Sequence, residues 1–213
     1  RRWLAIGAQG PDIFYHNQRR RPTGIQYGTL LHRRGYGDLV AALVNGAVAA
    51  GYGPDSWIGA YVHGFVGHAI LDRIAHPYIN YHAGWVIPGN GDTERYRSMH
   101  AFLERLIDVE LLRRKRGIHP NQLDFAAVAE MEATPPREWT EALAGALVSV
   151  FERAANDGKL PSRLVNTWCD ARGFYRFTSH IDRRYLEEGL KRERAGEVRP
   201  KWLSLLHPPN VPV

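Results

Sequence analysis

The segment from Trp57 to Ala75 most constrains the fold. Its apolar residues, Trp57, Ile58, Tyr61, Val62, Phe65, Val66, Ile70 and Leu71, fall on nearly every side of a helix. A helix apolar all round belongs at the centre of a core. Gly53-Pro54-Asp55-Ser56 supplies a break and a cap before it, and Pro77 is expected to end it, because the residue before a proline is steered away from helical backbone. Two ionisable residues, His68 and Asp72, sit inside this segment, where an unpartnered polar group is costly.

The rest of the chain reads as helix and connector. Residues 1–37, rich in Gly, Pro and Arg, read as loop with short helical pieces. Asp38 is expected to cap a helix running to about Gly51. Residues 82–92 carry three glycines and a proline and read as an active-loop candidate or a plain connector. Period-3.6 apolar spacing predicts helices over about Thr93–Arg116, Gln122–Glu132, Pro136–Asn156 and Pro161–Lys191. No strand alternation of useful length occurs. The expectation is an all-α fold, a single multi-helix domain over residues 1–199 with a central buried helix and an extended tail over 200–213.

Composition narrows the class. The 213 residues suffice for a full core, and 44% apolar with 23% charged residues is ordinary for a globular protein. No apolar run approaches the ~18 residues of a membrane helix, and the opening Arg1-Arg2-Trp3-Leu4 lacks a signal-peptide core, so a cytoplasmic location is the expectation. A single cysteine, Cys169, excludes an internal disulfide and a Cys-based zinc site, so any metal ligands are nitrogen and oxygen. The net charge of +6 gathers in Arg19–Arg21, Arg33-Arg34, Arg113–Arg116 and Lys191–Arg194. Such runs suit phosphate-bearing partners, nucleic acid or anionic lipid, and equally suit solvated helix ends.

The chemistry-bearing residues are histidines paired with acids. His68-x₃-Asp72 and His100-x₃-Glu104 each put two potential ligands on one helix face, a spacing that can hold zinc from a single helix. Either pair alone is commonplace; two pairs on two helices carry weight together. His76 lies ~12 Å beyond His68 along an ideal helix and about 80° round it, so the two should serve different ions. That argues for at least two metals, an arrangement suited to in-line displacement at phosphorus. Read alone, His76 is equally a helix C-terminal histidine favoured by the dipole, Asp12 a turn cap and His32 a surface histidine. His16, His63, His82, His119, His180 and His207 read as ordinary surface groups, with His63 about 140° from His68 on the helix.

In order along the chain stand Gly7-Ala8-Gln9-Gly10-Pro11-Asp12, Gly28-Thr29-Leu30-Leu31-His32, Tyr61-Val62-His63-Gly64-Phe65-Val66-Gly67-His68-Ala69-Ile70-Leu71-Asp72, His76-Pro77-Tyr78 and His100-Ala101-Phe102-Leu103-Glu104. Together they resemble the zinc-dependent phospholipase C family, related to fungal single-strand nucleases and to the N-terminal part of glycosylphosphatidylinositol-cleaving phospholipase D. The resemblance covers about residues 7–110. It implies an α-helical fold in which His32, His68 and Asp72 hold one zinc and His76, His100 and Glu104 a second. Asp12 would touch the nucleophilic water as general base or orienting group, and Asp72 would bridge to a third zinc. In the secreted enzymes that third ion also uses the terminal amine and a nearby histidine. No histidine precedes the Gly-Pro-Asp turn here, so two zinc ions are expected. The implied activity is hydrolysis of a phosphodiester, a phospholipid headgroup first, by metal-bound hydroxide, with peripheral membrane contact. Nucleic acid is the alternative substrate, and a zinc-holding helical scaffold without turnover is the alternative from another class.

Overall fold

The computed structural model describes residues 1–96, 98–195 and 207–208, with the side chains of 182–187 and 189–195 excepted. The described residues form helices joined by turns and loops, with no strand. The helices are α1 (Arg2–Gly7), α2 (Ile25–Leu31), α3 (Tyr36–Ala49), α4 (Trp57–Ala83), α5 (Met99–Arg116), α6 (Phe125–Ala129), α7 (Arg137–Val150), α8 (Glu152–Ala155) and α9 (Leu160–Ala195). Three 3₁₀ segments punctuate them, at Gly10–His16, Gly91–Tyr96 and Pro120–Gln122. The tail anticipated over 200–213 lies outside the described residues, apart from His207 and Pro208.

The chain divides into two compact units, residues 1–71 with 126–175, and residues 72–125 with 176–213. In the first, α3 packs along α7 and the first half of α4 supplies Ile58, Tyr61 and Phe65 to a core shared with Trp139, Leu143, Leu147 and Trp168. The Trp139 ring lies 4.9 Å from that of Trp168 and edge-on to Tyr61 at 6.3 Å. Helix α1 lies against α4 where Gly64 allows it: a Cβ there would stand 2.2 Å from the Leu4 carbonyl oxygen. In the second unit Ile79, Ala83 and Val109 are buried.

Several expectations need correction. Helix α4 does not stop before Pro77 but passes through it to Ala83. Proline removes one N–H, the partner of the Arg73 carbonyl, and Arg73 stands on the exposed side, where that carbonyl need not be desolvated. Nor is α4 buried all round: Ile70, Leu71 and Ile74 are each more than half exposed, because only its inner face finds partners. The cap of α3 is Gly35 in left-handed conformation (φ 73°), with Asp38 in the first turn instead. The helix anticipated from Thr93 begins at Met99, after the 3₁₀ turn at Gly91–Tyr96. The segment anticipated as one helix over Pro136–Asn156 breaks at Phe151, whose extended backbone (φ −126°, ψ 116°) separates α7 from α8. Between Gln122 and Glu132 only Phe125–Ala129 is helical.

Candidate metal centre

Asp12 is positioned by local backbone geometry. Gly10, at φ +51°, turns the chain out of α1, and Pro11 starts the 3₁₀ turn with its φ already set. Ile13 and Phe14 are driven into the core, which leaves the Asp12 carboxylate at the surface, half exposed. Gly10 also makes room for His68: a Cβ at position 10 would come within 2.4 Å of the His68 ring.

His32 caps the C-terminal end of α2 and directs Nδ1 back to the Gly28 carbonyl oxygen at 2.8 Å. His68 likewise places Nδ1 3.2 Å from the Ala8 carbonyl oxygen. A carbonyl can only accept, so each Nδ1 is the donor there and each ring leaves Nε2 as the nitrogen available to a metal. The His32 Nε2 stands 3.1 Å from an Asp12 carboxylate oxygen, and the His32 and His68 rings meet edge-on at 6.1 Å. One ligand atom from each of Asp12, His32 and His68 lies within 4.8 Å of the others, all inside the first unit.

The second unit holds its own set. His100 and Glu104, one turn apart on α5, approach to 3.0 Å. His76, from α4, lies 3.6 Å from the same Glu104 oxygen and 3.7 Å from an Asp72 oxygen, and its ring is 5.1 Å from that of His100. His76, His100 and Glu104 again offer ligand atoms within 4.8 Å of one another. For bonds of 2.0–2.1 Å, tetrahedral zinc spaces its ligand atoms by about 3.4 Å. The four nitrogen–oxygen separations, 3.0 to 3.7 Å, bracket that spacing. The donor sets are nitrogen and oxygen only, which zinc accepts.

Each sequence-predicted site residue thus falls in one of two clusters. Asp12, anticipated beside the water, stands within ligand distance of His32 and His68; Asp72, anticipated with those two histidines, lies against His76. Among the histidines read as surface groups, His63 and His180 are exposed, and the His63 Nδ1 donates to the Gly59 carbonyl at 2.7 Å. His16 is different. It stacks on Phe174 at 4.2 Å and meets Tyr175 edge-on at 5.1 Å. Desolvation there pulls its pKa down to about 4 against the opposing pull of Asp12, so it is neutral at pH 7.

Three supporting groups escaped the sequence reading. Tyr15 stacks on the His32 ring at 5.3 Å. Tyr175, buried, donates its hydroxyl to Gln9 Oε1 at 2.9 Å, steadying the residue just before Gly10. Asp170, on α9, accepts from the Asn17 side chain, the backbone N–H groups of Arg19 and Arg20, and the Arg20 guanidinium, at 2.8 to 3.1 Å. It pins the loop leaving the Asp12 turn. The one available signal was Thr167 and Asp170, polar residues on the α9 face that carries Leu164, Trp168 and Ala171.

No protein-family model matches the chain, and searches of curated proteins and of solved structures return no significant match.

Proposed function

We propose that the protein is a zinc-dependent phosphodiester hydrolase of the phospholipase C type. The observation that carries this reading is the pair of histidine–carboxylate clusters, the first with both histidine Nδ1 atoms committed to backbone carbonyls. Orientation by a backbone carbonyl is shared with the exposed His63, so it is the convergence of two such histidines on one carboxylate that favours a ligand set.

In this reading His32, His68 and Asp12 hold one cation, and His76, His100 and Glu104, with Asp72 beside them, hold another. Such cations, when bound, supply Lewis-acid activation of water and neutralise charge on the phosphoryl oxygens. The chain's own contribution is orientation. The Gly28 and Ala8 carbonyls hold the two imidazoles in one orientation, and the Gly10 turn fixes the Asp12 carboxylate against His32. One Asp12 oxygen faces His32 Nε2; the carboxylate is half exposed, so its other oxygen can take the proton of an approaching water.

The test is metal content together with turnover. The purified protein is expected to carry two zinc ions and to hydrolyse a bis-aryl phosphodiester and a phospholipid headgroup in preference to single-stranded DNA. His68→Ala should remove one equivalent of zinc, and Asp12→Asn should lower turnover by roughly a hundredfold or more. Two bound zinc ions without hydrolysis would identify a scaffold, and a preference for single-stranded DNA a nuclease. Hydrolysis indifferent to a chelator would sink the metal mechanism.

A further inference from the structure

The second half of α4 presents an exposed apolar outer face. Its inner face carries Asp72 and His76 together with the buried Ile79 and Ala83. At 100° per residue these lie about 140–180° round the helix from Ile74, whereas Tyr78 and Tyr81 fall within about 40° of it. Ile74, Tyr78 and Tyr81 are 72%, 57% and 82% exposed, and just past the helix Trp85 and Ile87 are 66% and 54% exposed. Five large apolar side chains within fourteen residues thus face solvent, all in the second unit. Soluble surfaces carry such residues singly; gathered, they mark a surface that binds something.

The chemistry of the patch selects its occupant. Three of the five are Tyr or Trp, whose rings have an apolar body and a polar edge and collect at the headgroup level of bilayers. His82 lies among them, its ring 4.3 Å from Tyr78 and 5.0 Å from Tyr81, which adds a further ring of the same mixed character. Arg73 is the single charged residue from position 73 to Gly91, and no carboxylate interrupts the stretch. The exposed acids Asp92 and Glu94 border the stretch beside Ile87, so apolar and aromatic contact, not charge, is what suits this face to the headgroup layer.

We propose that Ile74, Tyr78, Tyr81, Trp85 and Ile87 form a membrane-docking surface that seats the second unit on the headgroup layer of a phospholipid bilayer. Docking is carried by aromatic and aliphatic contact more than by charge, so it extends to zwitterionic lipid and resists salt. It stands independently of the hydrolytic reading, and the metal-free chain docks equally well.

The test uses the full chain in the presence of a chelator, so that failure of the hydrolase reading leaves the result unaffected. Co-sedimentation with phosphatidylcholine vesicles is expected and should persist to about 0.5 M salt, where screening reaches a few ångströms. Brominated lipid should quench wild-type fluorescence, and Trp85→Phe should abolish that quenching while leaving sedimentation nearly intact. Tyr78→Ser with Tyr81→Ser and Trp85→Ser should weaken vesicle partition by about tenfold or more. Ile74→Asp, a single change at an exposed position, should do likewise, with circular dichroism unchanged in both variants. The proposal is overturned if the wild type ignores phosphatidylcholine vesicles, or if both variants partition as well as it does. It is also overturned if binding requires anionic lipid and vanishes with salt, which would move docking to the basic runs. A dimer in light scattering that Ile74→Asp dissociates, without vesicle binding, would instead assign the face to a second copy of the chain.

Discussion

Gly10 shows how much one residue without a side chain can decide. Its φ of +51° is a conformation that L side chains adopt at a cost, and the His68 ring occupies the space that a Cβ would need. Gly10→Ala therefore strains the turn that carries Asp12 and displaces a histidine of the same cluster. The expected outcome is a loss of about 1–3 kcal/mol in denaturant unfolding. It should also weaken zinc binding at the first cluster, leaving one equivalent in metal analysis where the parent holds two. From sequence, Gly10 was legible only as part of a Gly-Pro-Asp turn. Its contact with His68 spans fifty-eight positions and is set by how α1 meets α4.

At the scale of elements, local signals are sharpest where chemistry is local. The Gly-Pro-Asp-Ser break marks Ser56 as a cap, and its hydroxyl oxygen accepts from the Gly59 N–H at 3.2 Å. Ser56→Ala should lower stability by about 1 kcal/mol, measured as a shift in the urea midpoint at unchanged slope. Pro77 taught the opposite lesson. The residue before a proline disfavours helix by a modest amount, and α4 passes through because Ile79 and Ala83 bury beyond it. Likewise the break at Phe151 follows from its burial, 6% exposed, and not from any breaker residue in the sequence.

At the scale of the whole molecule, two units each enclose a histidine–carboxylate cluster, and single residues tie distant segments together inside a unit. Asp170 is the clearest tie. Burial pushes its pKa up, yet four hydrogen bonds from Asn17, Arg19 and Arg20 prevail and hold it below the usual aspartate range. A depressed carboxyl stabilises the fold above its unfolded pKa and loses that contribution as pH falls through its folded value. Asp170→Asn should cost about 2–4 kcal/mol at pH 7 and flatten the acid limb of the stability profile, read from thermal melts across pH.

Helical class, the places where most helices occur and the His100–Glu104 pair were legible in the sequence alone, because period-3.6 spacing and one-turn pairing are properties of neighbours in the chain. Tertiary structure alone decided that Asp12 joins His32 and His68, that His76 of α4 meets Glu104 of α5, and that Ile74, Tyr78 and Tyr81 face outward. Each of those outcomes depends on which helix face meets a partner, and periodicity names an apolar face without saying what, if anything, will cover it.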